Sequence, residues 1–151
     1  MGRGRGGYTS IQASYDDSGG HKVTDKGTIY VGEKYIKDGY ETVFRRTHTP
    51  KPGCDLTIKT SDDTEIVKNI EVKRITSMRS SKVADELKRA KKQISAGDTV
   101  ALYCPNRADT PQNRAFIKAG IEEARRKGNI IGPVEVWFND TKTTKDTWKI
   151  N

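Results

Sequence analysis

The stretch CDLTIKTSDDTEIVKNIEVKRI, residues 54–75, alternates apolar and polar side chains on both sides of a polar turn. Period-two alternation specifies two strands, 54–60 and 66–75, joined by SDDTE. On the first, Leu56 and Ile58 take one face while Asp55, Thr57 and Lys59 take the other. On the second, Ile70 and Val72 oppose Glu71 and Lys73. If the aliphatic sets of the paired strands face one layer, Asp55, Glu71 and Lys73 gather on the opposite face.

Upstream, TDKGTIYVGEKYIKDGY carries Ile29, Val31 or Gly32, Tyr35 and Ile36 at helical spacing, with Asp25 placed to cap the first turn and Gly39 to stop it. ETVFRRT, residues 41–47, reads as a strand before the PKPG break, so three strands form an antiparallel meander. Downstream, SSKVADELKRAKKQISAG sets Val83, Leu87, Ala90 and Ile94 on one helical face, with a Ser before and a Gly after. TVALYCP is a continuous apolar run suited to a strand buried on both faces, reached by a crossover helix and so parallel to the third strand. PQNRAFIKAGIEEARRKG is a further amphipathic helix and PVEVWFND a further strand. The expected order is α-β-β-β-α-β-α-β, an α/β fold.

With 151 residues the chain is read as one domain over 23–151, preceded by a Gly/Arg-rich lead-in, residues 1–22, that serves as a flexible linker or a small RNA-binding arm. Only 32% of residues are hydrophobic, so the core is expected to be thin. A net charge of +8 favours polyanionic partners, because Lys and Arg release the counterions condensed on phosphates. No run approaches the roughly 18 apolar residues of a membrane helix, and a secretory h-region is absent, so a soluble folded unit without stable membrane association is expected. Cys54 and Cys104 stand far apart with no CxxC pattern and read as two buried thiols, a single disulfide being the alternative. A structural zinc site usually takes four Cys or His ligands, and His21 and His48 are not grouped with the thiols.

Two carboxylates and an ammonium on one strand face suit phosphodiester hydrolysis. That reaction needs oxygen ligands for a hard cation, a positioned water, and positive charge where the transition state becomes negative. A salt-bridge ladder on a solvated face is the alternative. The chain supplies its own decoys for the Glu-x-Lys pattern: Glu86-Leu87-Lys88 lies in a helix, where residues two apart diverge, and Asp140-Thr141-Lys142 lies in turn-like sequence. Glu71-Val72-Lys73 alone sits on a strand, sixteen residues after an aspartate on the neighbouring strand.

In this arrangement the chain resembles the PD-(D/E)XK nuclease superfamily, whose core is αβββαβ with a central mixed β-sheet flanked by helices; here a C-terminal helix and strand are added. PKPGCD, ending at Asp55, is similar to the P-D element with two residues inserted, and Glu33 in VGEKYIKDGYETVF matches the first-helix acid. Within the superfamily the run over residues 31–77 is similar to the C-terminal tRNA-cleaving toxin domains of contact-dependent growth inhibition proteins. The resemblance implies that Asp55 and Glu71 hold a divalent metal, Mg²⁺ before Mn²⁺ or Zn²⁺, with the Val72 carbonyl as an optional further ligand. Glu33 would add an acid that holds the metal or its water. Lys73 would position the nucleophile or stabilise developing charge.

The resemblance further implies a tRNA substrate and a cognate immunity protein, of acidic character. It implies export as the C-terminal end of a large bacterial surface protein, with action in the cytoplasm of the target cell. Arg45, Arg46 and Lys51 before Asp55, and Arg74, Arg79 and Lys82 after Lys73, form a basic rim suited to a phosphate track, while Thr76 and Ser77 read as ordinary helix entry, with contact to a phosphate as the alternative. Lys88, Arg89, Lys91 and Lys92 read as a solvated helix face, His48 as a loop histidine, and Trp137 and Phe138 as core. A DNA endonuclease on the same scaffold and a non-catalytic RNA-binding protein are the competing functions.

Overall fold

In the computed structural model the described residues are 25–44, 53–105, 107–139 and 147–150. Three helices and six strands form among them: α1 Lys26–Lys37, β1 Glu41–Phe44, β2 Leu56–Lys59, β3 Ile66–Arg74, α2 Ser80–Lys91, β4 Thr99–Pro105, α3 Pro111–Arg126, β5 Val134–Asn139 and β6 Thr147–Ile150. The lead-in lies outside the described residues. The fold is α/β, and the chain divides into two compact units, residues 1–72 and 73–151, with β3 running through the division.

In the first unit α1 starts where Asp25 Oδ2 accepts the Thr28 N–H at 2.9 Å and the Thr28 hydroxyl at 2.8 Å. Those bonds satisfy first-turn donors that the helix itself leaves open. It ends at Gly39, whose φ of +98° lets the Tyr40 N–H reach back to the Tyr35 carbonyl at 3.1 Å. β1, β2 and β3 pair antiparallel, with Phe44 opposite Leu56 and Leu56 opposite Ile70. Phe44, Leu56, Ile58 and Ile70 are fully buried on one face and meet α1 through Val31, Gly32 and Tyr35. A Cβ on Gly32 would run into the Phe44 ring and stand 3.4 Å from Leu56 Cδ2, so the helix lies close because position 32 has no side chain.

The β2–β3 turn is built by Asp62, whose Oδ1 accepts from the Thr60 hydroxyl at 2.6 Å, the Thr64 hydroxyl at 2.7 Å and the Thr64 N–H at 3.2 Å. These donors, Thr60 first, hold its carboxyl below the usual aspartate range. A bulge at Val67 follows, since Ile58 pairs with Lys68 but Lys59 with Ile66.

In the second unit β4 and β5 are parallel and β6 joins β5 antiparallel, giving mixed pairing. Val100, Leu102, Cys104, Val134, Val136 and Phe138 form one face of this pair and bury against Val83, Leu87 and Ala90 of α2 and Ile117, Ile121 and Ala124 of α3. The two helices meet at Gly120, where a Cβ would lie 2.5 Å from Val83 Cβ and 2.7 Å from the Ser80 carbonyl. Both faces of β4 are buried, as its unbroken apolar run requires.

The structure departs from the pattern expected of the sequence at three points, two on α2 and one at the C-terminal strand. α2 begins with Arg79 as N-cap, and no side chain caps it, because both serines lie inside the first turn. It also stops at Lys91, and Ile94 packs on the core from the following turn. β6 was not anticipated, because TWKI is four residues long and gains its place by pairing along β5.

Candidate functional site

Asp55 stands at a bend one residue before β2. The ladder sets Leu56 opposite Ile70, and one step further along that register Asp55 falls opposite Glu71. Here a side chain replaces the backbone as partner: Asp55 Oδ2 accepts the Val72 N–H at 2.9 Å. In an antiparallel strand a residue's N–H and C=O point to the same side, so the Val72 carbonyl faces the side on which the Asp55 carboxylate lies.

Faces are fixed independently by Thr57, whose hydroxyl donates to Asn69 Oδ1 at 2.8 Å. Asp55 and Glu71 each lie two residues from that pair, so alternation sets them on the same face, opposite the Leu56 and Ile70 layer. Lys73 follows Glu71 by two residues on the same strand and is half-buried. Glu71 is only 5% exposed. A solvated ladder would leave its carboxylates open to water, and burying a carboxylate costs free energy unless it is hydrogen-bonded, paired or metal-bound.

Glu33 lies on α1. α1 covers the apolar face, as the Gly32 approach to Phe44 and Leu56 and the 3.2 Å bond from Lys68 Nζ to the Tyr35 hydroxyl show. Among the described residues no three Asp, Glu, His or Cys side chains gather to hold a metal ion. A buried acid that the sequence reading passed over is Glu41 on β1. It pairs with Lys59, four residues along β2 from Asp55, which is about 13 Å at the usual strand rise. That distance is too long for one ion.

Arg45, Arg46, Lys51 and His48 lie outside the described residues. In the second unit Arg74 ends β3 and is exposed, as are Thr76 and Arg79. Arg79 Nε donates to Ser77 Oγ at 3.0 Å. Lys82 is instead engaged on α2, 3.1 Å from Glu86, which Arg89 approaches at 3.6 Å. Its ammonium already has a carboxylate partner, which weakens the phosphate-track reading there. The sequence reading missed Arg107, whose Nη2 donates to the Thr76 carbonyl at 3.3 Å. The available signal was its place just beyond β4, since ligands of open α/β sheets gather outside the carboxyl ends of strands.

Both cysteines are buried thiols. Burial pushes the Cys104 thiol up to about 12, with the Arg107 charge pulling weakly the other way. Trp137 and Phe138 are core residues, the indole donating to the buried Glu135 at 3.1 Å. No described helix is long and apolar enough to cross a membrane.

In comparisons with known proteins, no protein-family model, no curated protein and no solved structure matches this chain.

Proposed function

We propose that the chain is a metal-dependent nuclease of PD-(D/E)XK type that cleaves RNA, with tRNA as the substrate class, and that it acts as an interbacterial toxin restrained by an acidic immunity protein. The observation that carries the nuclease reading is the 2.9 Å bond from the Val72 amide to Asp55. It holds an aspartate beside the middle residue of Glu71-Val72-Lys73, with a buried glutamate on the same face. The toxin role, delivery into a target cell's cytoplasm and the immunity partner rest on the sequence resemblance and on the +8 charge, which would steer an acidic partner.

Asp55, Glu71 and the Val72 carbonyl offer oxygen donors only, which fits Mg²⁺ or Mn²⁺ better than Zn²⁺. When bound, such an ion polarises a phosphoryl oxygen and makes water a better nucleophile. Asp55 is held in place by its backbone bond, and Glu71 by burial, so neither side chain must be ordered when substrate arrives. Lys73 brings an ammonium to Glu71's side of β3, where it orients the attacking water or offsets negative charge on the phosphoryl oxygens.

The test incubates the full chain with total tRNA and with plasmid DNA, each with Mg²⁺, Mn²⁺, Zn²⁺ or EDTA. Cleavage of tRNA with Mg²⁺ or Mn²⁺ and none in EDTA is the expected result, with Asp55→Asn and Lys73→Ala slower by about 10²-fold or more. Cleavage that survives EDTA would point to attack by a ribose 2′-hydroxyl. Cleavage of DNA alone would make this an endonuclease of the restriction or repair class. With neither polymer cut, a binding role alone would remain.

A further inference from the structure

The chain leaving β3 runs beside the carboxyl end of β4, because the Ile75 N–H donates to the Tyr103 carbonyl at 2.7 Å. Two strand ends therefore open onto one edge of the second unit. Arg74 ends β3, Thr76 and Ser77 follow it, Arg79 precedes α2, and Arg107 comes from beyond β4. Arg107 spends one donor on the Thr76 carbonyl and Arg79 one on Ser77 Oγ. A guanidinium has five donors, so each keeps several in a fixed fork while its position is held. All three arginines are exposed, and none of them forms an ion pair with a carboxylate among the described residues.

We propose that Arg107, with Arg79 and Arg74, forms a phosphate-binding lip at the carboxyl ends of β3 and β4, and that this lip engages the sugar–phosphate backbone of the RNA substrate. The inference deepens the nuclease reading by assigning substrate contacts, with Arg107 as the residue that joins the two strand ends. Tethered guanidinium forks suit the planar, bidentate recognition of phosphate, and the Thr76 and Ser77 hydroxyls supply the neutral donors common at nucleic-acid backbones. Contacts to phosphate carry no sequence preference, so the lip supplies affinity and register rather than choice of base.

The experiment measures binding of a labelled unstructured RNA and of tRNA by fluorescence anisotropy, in EDTA, across a salt series. Arg107→Gln and Arg79→Gln are each expected to weaken RNA binding several-fold, equally for unrelated sequences. Each should also make the plot of log affinity against log salt shallower by about 0.7. Arg125→Gln, at the end of α3, serves as the control and should leave the slope unchanged. Arg107→Lys, which keeps the charge and loses the fork, should recover the slope but only part of the affinity. A merely structural Arg107 would lower thermal stability and leave the salt slope alone, and that pattern overturns the proposal. Because cleavage is silent in EDTA, a chain that binds through this lip yet cuts nothing refutes the nuclease reading alone. One that cuts tRNA while Arg107→Gln binds normally refutes the lip alone.

Discussion

Asp55 and Glu33 look equivalent as acids in the sequence, and the backbone separates them. Asp55 accepts from the Val72 amide, whereas Glu33 belongs to a helix on the apolar face. Under the proposed function, Glu33→Gln is therefore expected to retain most of the RNA cleavage that Asp55→Asn removes. Equal losses in a side-by-side rate assay would mean that Glu33 reaches the site. Cys104 gives a second prediction at this scale. Its thiol ionises near pH 9 when unfolded and near 12 when folded, so it contributes stability below pH 9 that is lost as pH rises toward 12. At pH 8 the folded protein should react with a thiol reagent at Cys104 only as fast as it unfolds. Rapid labelling there without denaturant would contradict its burial.

At the scale of elements, two glycines set helix positions. Gly32→Ala presses α1 against the Phe44 ring, and Gly120→Ala presses α3 against α2. Overpacking of this kind costs about 1–3 kcal/mol, with Gly120 at the upper end because the Ser80 carbonyl it meets is backbone and yields less than a ring edge. Denaturant midpoints for the two variants check this, and unchanged midpoints would mean the elements shift freely. The strand pattern around these contacts was legible in sequence: apolar positions 56, 58, 70 and 72 are buried as alternation requires. The bulge at Val67 was not, because IVKN runs two apolar then two polar residues and so carries no alternation whose phase an extra residue would break.

For the whole molecule, a cation bound only by the folded state would raise stability by mass action. At a free concentration about a hundred times its Kd the gain is roughly 2.7 kcal/mol. For a chain of this length that corresponds to roughly 5–10 °C in Tm. Thermal melts with and without Mn²⁺ should show the shift in the wild type and lose it in Asp55→Asn combined with Glu71→Gln. A shift that persists in the double variant would locate the cation elsewhere.

The sequence by itself determined the α/β character, the antiparallel β1–β3 meander and the side of β3 on which Glu71 and Lys73 lie, because these follow from local periodicity and short turns. It also marked the helix signals at Asp25 and Gly39, where one side-chain oxygen and one positive φ satisfy the terminal backbone groups. Only the tertiary structure decided that Asp55 bonds to the β3 backbone, that Glu71 is buried, that α1 packs against Phe44 and Leu56, and that Arg107 meets Thr76. Those facts depend on groups brought together from distant positions by packing, and periodicity within one segment carries no information about which distant segment it will touch.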